Sequence, residues 1–333
     1  KEAVDKITVP VTMKKITAED GSYQLLAPGE FFSTNHPFFK QVQHADMSNG
    51  SYYMVTKITT NAFMWGHKEN RVLEIVDSML YESIPGKILS KEKISKNGYQ
   101  GYDIVNRTRR GDVQRYHILA TPYEVLIFKM SGIGNYVSNS AEGKEFFNSI
   151  QLKNYRQQKI SGKLFSPVSG GFAVAFPHEP FFSVKENRVY DAADDINQYR
   201  VVATSLHNYN KSGEDTFDLS LIEESFKSSE FISKQLERKQ IKHKGYPALQ
   251  TKFSDKDGKI FSARFILQGP HYYAVIVHAA KDNAAIDQFI NSFELLPFVY
   301  GSETQQKDTA LYYTVTTPYY PVVKKKRDLK ELA

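Results

Sequence analysis

The sequence predicts an α+β protein of two tandem repeats, each a mainly antiparallel sheet of about six strands flanked by two helices as an α/β/α sandwich. Three observations carry this. The stretch 98–152 has an echo at 245–295. Both open on Gly-Tyr, and they close on Phe146-Phe147-Asn148-Ser149-Ile150 and Phe289-Ile290-Asn291-Ser292-Phe293. Between these ends lie runs of strand composition separated by tight-turn signals, which favours hairpin-connected strands. Segments with helical apolar spacing recur in each copy, and helices of that kind must cover a sheet.

The elements follow in order. Residues 7–12 form a strand-like run whose Pro10 favours an edge or linker. Residues 21–28 read as the first strand, matched by 170–177 at an offset of 149. Residues 52–58 and 199–204 come next, aromatic and β-branched as a pleated surface favours, with Tyr53 matching Tyr199. Val72, Leu73, Val76, Met79 and Leu80 then share one helix face, ended by Pro85-Gly86. Leu219, Ile222 and Phe226 do the same in the second copy.

Alternating strands at 88–94 and 232–241 lead into Gly98-Tyr99 and Gly245-Tyr246, offset by 147. Strands follow at 102–107 and 248–253, turns at 109–112 and 255–258, and strands at 115–120 and 263–268. Matching Ile118-Leu119 to Ile266-Leu267 gives an offset of 148 and implies a one-residue insertion near the hairpin. The apolar runs 125–128 and 273–277 read as strands covered on both faces. Ile286, Phe289, Ile290 and Phe293 mark a last helix face, with Asp282 as its N-cap. The offset there falls to 143, so the first copy carries a longer loop at 131–140, and Gly143 interrupts its closing helix. Beyond Tyr300, residues 301–306 are loop-like. Residues 311–317 make a lone strand that must pair with a sheet edge, with 7–12 or with a partner. The resulting division is 1–15 as strand or linker, 16–152 and 165–297 as repeats, 153–164 between them, and 298–333 as a tyrosine-rich extension.

Composition limits the function. The chain has 333 residues, 41% of them hydrophobic, enough for two packed cores. It has no Cys, which excludes disulfides, Cys-ligated zinc, iron–sulfur clusters and thiol nucleophiles. The net charge of +6 is mild. Its densest run, Lys324-Lys325-Lys326-Arg327, reads as a solvated linker rather than a polyanion or membrane contact. No basic stripe is interleaved with aromatics, so no nucleic-acid partner is expected. No run approaches the ~18 apolar residues of a transmembrane helix. Lys1 to Asp5 starts midway, and the end at 328–333 resembles a helix beginning, so a segment of a larger protein is expected.

Sites of chemistry are sparse. The nine His show no i, i+4 helical spacing and no His-Glu-x-x-His. Gly-x-Ser-x-Gly is absent, and the run 131–135 lacks the ending of a phosphate loop. Asp191, Asp194 and Asp195 form an acidic cluster without the spacing of a calcium loop, and read as a solvated turn. Neither a metal nor a cofactor is implied. Aromatic doublets are the unusual feature: 31–32, 38–39, 52–53, 146–147, 181–182, 272–273, 312–313 and 319–320. Neighbours on a strand face opposite ways, so most doublets serve two layers. Tyr312, Tyr313, Tyr319 and Tyr320 lie outside both repeats and are the candidate partner-binding residues.

Each copy resembles the PsbP-like fold, named after an extrinsic subunit of photosystem II. The residues that carry this are the strand ending Phe176-Pro177-His178-Glu179-Pro180, then Gly245-Tyr246-Pro247, and the closing 289–293 run. The first copy departs from the pattern, with Ala27-Pro28 where Phe-Pro would stand. The resemblance implies α/β/α domains and, by analogy alone, non-enzymatic binding or assembly work. It carries over no functional residue. The expected function is therefore a non-catalytic binding or scaffold module of a larger bacterial cell-envelope protein, periplasmic or extracellular, bracing or binding a protein partner. The alternative is a hydrolase or carbohydrate-binding domain with a site in the cleft between the repeats. A hydrophobic ligand pocket is a third option.

Overall fold

A computed structural model describes residues 10–34, 40–60, 73, 74, 76, 78, 84, 86–155, 164–184, 187–205, 214–309 and 312–318. Residues 7–9, His36, His67, His207, Tyr319, Tyr320 and the basic run at 324–327 lie outside them. Among the described residues the fold is mostly β, 55% strand and 14% helix. The first half supplies β1 (Lys14–Thr17), β2 (Tyr23–Ala27), β3 (Phe32–Thr34), β4 (Lys40–Asp46), β5 (Ser51–Thr59), β6 (Lys87–Lys96), β7 (Tyr99–Arg107), β8 (Val113–Ala120) and β9 (Glu124–Gly132). Helices α1 (Tyr136–Asn139) and α2 (Ala141–Asn148) and strand β10 (Gln151–Leu152) complete it. The second half supplies β11 (Gly170–Ala173), β12 (Phe181–Val184), β13 (Arg188–Ala193), β14 (Asn197–Ser205), α3 (Asp215–Lys227), β15 (Ile232–His243), β16 (Tyr246–Asp255), β17 (Ile260–Gln268), β18 (His271–Ala279), α4 (Ala284–Asn291) and β19 (Glu294–Phe298). A hairpin of β20 (Thr304–Asp308) and β21 (Tyr313–Thr317) follows.

Two seven-stranded antiparallel sheets have the same order, β3-β4-β5-β9-β8-β7-β6 and β12-β13-β14-β18-β17-β16-β15. The expected six strands per repeat miss the hairpin β3–β4 and its counterpart β12–β13, and count the first strand into the main sheet. That strand instead joins a small accessory sheet, β1-β2-β10 in the first repeat and β11-β19 in the second. Registers correct the expected insertion. Arg107 pairs with Val113, and Ser254 with Ile260. The offset is 147 on both sides of the turn, so the two hairpins have equal length. Leu119 is matched by Ile266, through pairing to Gly101 and Ala248. The two prolines, Pro122 and Pro270, simply occupy different places in turns of equal span.

Each large sheet has a packed cluster on either face. In the second repeat, Tyr273, Val275 and Val277 of β18 pack with Phe289 and Ile290 of α4, while Ala274 and Ile276 pack with Leu219, Ile222 and Phe226 around α3. The alternation of neighbours along a strand accounts for this division. In the first repeat, Phe128 and Met130 join Phe146 and Phe147 of α2, and Val125 and Ile127 join the helical residues Leu73 and Val76.

The shared motifs hold the scaffold. Asn97-Gly98 and Lys244-Gly245 have φ of 51° and 81°, and 50° and 90°. They make the two-residue turns between paired Lys96 and Tyr99, and between His243 and Tyr246; two positive φ values suit the twist of the flanking strands. The closing serines act as clasps. Ser149 Oγ accepts from Leu26 N–H at 2.8 Å and donates to Phe146 O at 3.0 Å. Ser292 Oγ accepts from Ala175 N–H at 2.9 Å and donates to Phe289 O at 2.7 Å. Gly143 does not interrupt its helix: it lies within α2, its N–H donating to the N-cap Ser140 Oγ at 3.0 Å, and a Cβ there would meet Val137 O at 2.5 Å. The N-cap of α4 is Asn283, whose side chain accepts from Ala285 N–H, not Asp282.

Candidate functional site

The lone strand at 311–317 finds its partner next door. It is β21, paired with β20 from Thr304–Thr317 to Asp308–Tyr313; β20 overlaps the run expected to be a loop. The hairpin forms its own two-stranded sheet, separate from both large ones. Tyr312, at φ 52°, is 94% exposed, and Tyr313 and Val315 are also exposed. Of the four candidate tyrosines, the structure thus places Tyr312 and Tyr313 together at the start of β21. Tyr319 and Tyr320 fall outside the described residues.

Two regions where the copies differ take defined places in the fold. Ser131 and Gly132 end β9, and α1 occupies half of the rest of the expected 131–140 loop. Asp191 belongs to β13, not to a turn, and its carboxylate accepts from Arg200 Nε and Nη2 at 2.7 and 2.9 Å. Asp194 makes the turn: Oδ1 accepts from Ile196 and Asn197 N–H, and Oδ2 from the Tyr199 hydroxyl at 2.6 Å. Hydrogen bonds thus account for both carboxylates. Among the described residues, no three His, Asp or Glu side chains converge as metal ligands.

Four buried polar groups come from residues that sequence spacing did not single out together. His117 of β8 lies 3.4 Å from Asp103 Oδ2, and Arg115 bonds Asp103 at 3.0 and 2.6 Å. The Phe147 ring covers His117 at 4.5 Å and Arg115 at 4.8 Å. Burial pushes the His117 imidazole below its ordinary 6.5, with Asp103 opposing and Arg115 and Lys96 assisting. Burial raises Asp103, but His117 and Arg115 outweigh it and hold the carboxyl well below its ordinary range. Lys96 donates to the carbonyls of Phe147 and Asn148 at 3.1 and 3.2 Å, placing a cation at the C-terminal end of α2 as the helix dipole favours. The second repeat does the same with Arg264, at the register position of His117: it donates to Ile290 O at 3.3 Å and to Asn291 Oδ1 at 2.9 Å.

His278 lies between Gln198 Oε1 and Asp255 Oδ2, both at 3.0 Å, and stacks on Phe261 at 4.0 Å. Burial lowers its pKa against the pull of Asp255. Asp255 also accepts from Asp257 and Lys259 N–H, so this His–Asp pair braces a hairpin. In the first repeat, the buried Glu124 meets Lys57 Nζ at 3.3 Å and accepts from the Tyr155 hydroxyl at 3.2 Å; Lys57 also pairs with Asp20. Burial raises Glu124 against Lys57 and Tyr155. Burial also opposes the low value of Asp20, but Lys57 and Ser22 bring it to about 2. The only sequence signal for this cluster is polar residues at strand positions that the pattern would bury. Phe181 of β12 reaches this region from the second repeat, stacking on Tyr123 at 5.0 Å and meeting Tyr155 at 5.7 Å. Among the described residues, Phe181 thus makes an aromatic contact between the repeats.

Two open grooves of about 510 and 560 Å³ are lined, respectively, by α3 with β15–β16 and by Tyr246, His271 and 295–298. Neither is lined by His117, His278 or Glu124. No helix among the described residues is long and apolar enough to cross a membrane.

No family model matches the sequence, and neither does any curated protein. Among solved structures, the chain is similar to cyanobacterial PsbP (CyanoP) from Synechocystis, at 9% identity over 43% of this chain and 98% of that one, with a TM-score of 0.31. It is also similar to the T6SS immunity protein TplEi from Pseudomonas aeruginosa, at 12% identity over 85% and 97%, TM-score 0.21. The MucA/MucB complex of Pseudomonas aeruginosa matches at 9% identity over 85% and 87%, TM-score 0.18.

Proposed function

We propose that this chain is a non-catalytic binding or scaffold module of a larger cell-envelope protein, periplasmic or extracellular, that binds or braces a protein partner. In this reading, residues 16–152 and 165–297 are PsbP-like α/β/α sandwiches that act as a rigid support, and the extension from residue 298 carries the contact. The observation that carries it is the β20–β21 hairpin, an autonomous two-stranded sheet with Tyr312 almost fully exposed and Tyr313 and Val315 beside it. Two strands alone are marginal in water, so such a hairpin gains from a partner. Exposed tyrosines are the residue type enriched where partners bind. The buried polar groups support the same reading, because their hydrogen bonds and ion pairs are made to the scaffold itself.

A photo-crosslinking side chain at position 312 in the full chain tests the proposal, with position 93 on β6 as control. The expected result is one defined adduct with an envelope protein at 312, lost on Tyr313→Ser/Val315→Ser. No specific adduct at 312, or the same adducts at both positions, overturns it.

A further inference from the structure

Leu89 and Leu236 occupy one place in the two repeats. Each is the extra residue of a β-bulge in the outermost strand of its sheet. The β6–β7 ladder steps from Ile88 to Ser90, and the β15–β16 ladder from Gln235 to Glu237. Both side chains are about half exposed, 46% and 51%. Each has a cation two residues to either side, Lys87 and Lys91 in one copy, Lys234 and Arg238 in the other. Two of these cations are held in place: Lys91 Nζ lies 4.6 Å from the Tyr102 ring centre, and Arg238 bonds Glu223 at 2.8 Å and Ser220 at 3.3 Å. Strands β6 and β15 each carry four Lys or Arg against one Glu, and together match the +6 of the whole chain.

Protection of a sheet edge explains part of this. Long open edges are kept from pairing by lysines and bulges, and these edges are 10 and 12 residues long. It does not explain an exposed leucine at the bulge, where a polar side chain would protect better, and it does not explain the same choice twice. Neighbouring positions have diverged: Ser90 is matched by Glu237, Glu92 by Lys239 and Lys93 by Gln240. The bulge interrupts the ladder, so a partner adding as a strand would lose register at this point. An apolar tip between cations instead suits the headgroup layer of an anionic bilayer, where the leucine enters the acyl boundary and the cations meet phosphates. A lipid surface presents the same chemistry to both copies, whereas a single protein epitope has no reason to select one constellation twice.

We propose that the chain binds peripherally to an anionic phospholipid surface through Leu89 and Leu236, with Lys87, Lys91, Lys234 and Arg238 as the electrostatic contacts. This goes beyond the protein-partner reading and stands apart from it, since the hairpin takes no part.

Co-sedimentation of the full chain with vesicles of phosphatidylglycerol and phosphatidylcholine tests it, with pure phosphatidylcholine vesicles as the neutral control. Partitioning is expected onto the mixed vesicles only, and is expected to fail in about 1 M salt, where the screening length is about 3 Å. Leu89→Ser/Leu236→Ser should lower it at least about tenfold, and Lys87→Glu/Lys234→Glu should do so independently. Circular dichroism melts establish that both variants fold, as expected for exposed positions. The proposal is overturned if mixed vesicles retain no protein, if neutral vesicles retain as much, or if the folded leucine variant partitions like the parent; in the last case the cations serve edge protection alone.

Discussion

Burial at His117 and His278 makes the stability of this protein sensitive to mild acid. Each imidazole sits below its ordinary 6.5, chiefly because the sheet and a covering ring exclude water. A histidine lowered in this way binds fewer protons folded than unfolded, so its contribution is complete above 6.5 and is lost as pH falls toward the folded value. Urea unfolding should therefore show a free energy that drops as pH falls below about 6.5, and His117→Gln should flatten part of that slope. A slope unchanged in the variant would contradict the assignment. The clasp residues give a second prediction. Ser149→Ala leaves Leu26 N–H without its acceptor, and Ser292→Ala does the same to Ala175 N–H. Each should cost about 1–3 kcal/mol in chemical denaturation, and Ser→Thr, which keeps the hydroxyl, should cost less.

Single elements show which parts of the fold could be read from sequence. The strands on either side of Asn97-Gly98 were legible from their composition, but the turn itself went unread, although positive φ at both residues restricts its composition. The offset of 147 across the next hairpin was misread because Ile118-Leu119 and Ile266-Leu267 look alike, although the ladders pair Leu119's position with Ile266. Likeness of side chains cannot distinguish neighbouring apolar positions on a strand buried on both faces. The hairpins β3–β4 and β12–β13 were missed for another reason. The inner strand of each, β4 or β13, carries Lys40, Gln41, Gln43 and His44, or Arg188 and Asp191, and polar side chains hide a strand's alternating period. Asp191 resembled a turn residue because its partner Arg200 lies on the adjacent strand. Gly143 was misjudged as a break, since only the approach of Val137 O shows why no Cβ fits. Gly143→Ala should therefore destabilise the first repeat by about 1–3 kcal/mol, although alanine favours helices. A melting temperature equal to or above that of the parent would refute the contact. The tyrosines were chosen as partner candidates from their place outside both repeats; the equivalence of Leu89 and Leu236 was not legible, because only strand register reveals it.

At the scale of the whole molecule, the two repeats have separate cores, and among the described residues Phe181 links them. The clusters around Phe128 and Ile118 belong to the first repeat, and those around Val275 and Phe265 to the second. Phe181 crosses between them: it sits on second-repeat strand β12 yet packs against the first-repeat core, stacked on Tyr123 and edge-on to Tyr155. Aromatic pairs of this geometry are worth about 0.5–1.5 kcal/mol beyond the area they bury. That is small beside the stability of either domain, but it is gained only while both are folded, so it couples their unfolding. The parent should therefore unfold in transitions that overlap, each repeat stabilised by its neighbour. Phe181→Ala should separate them, lowering the calorimetric cooperativity and shifting the less stable repeat more than the other. Tyr123→Ala should also weaken the coupling from the opposite side, and the double variant should lose less than the sum of the two, since both remove the Phe181–Tyr123 stack. Additive losses in the double variant would mean that each ring serves only its own core and that the repeats behave as independent bodies.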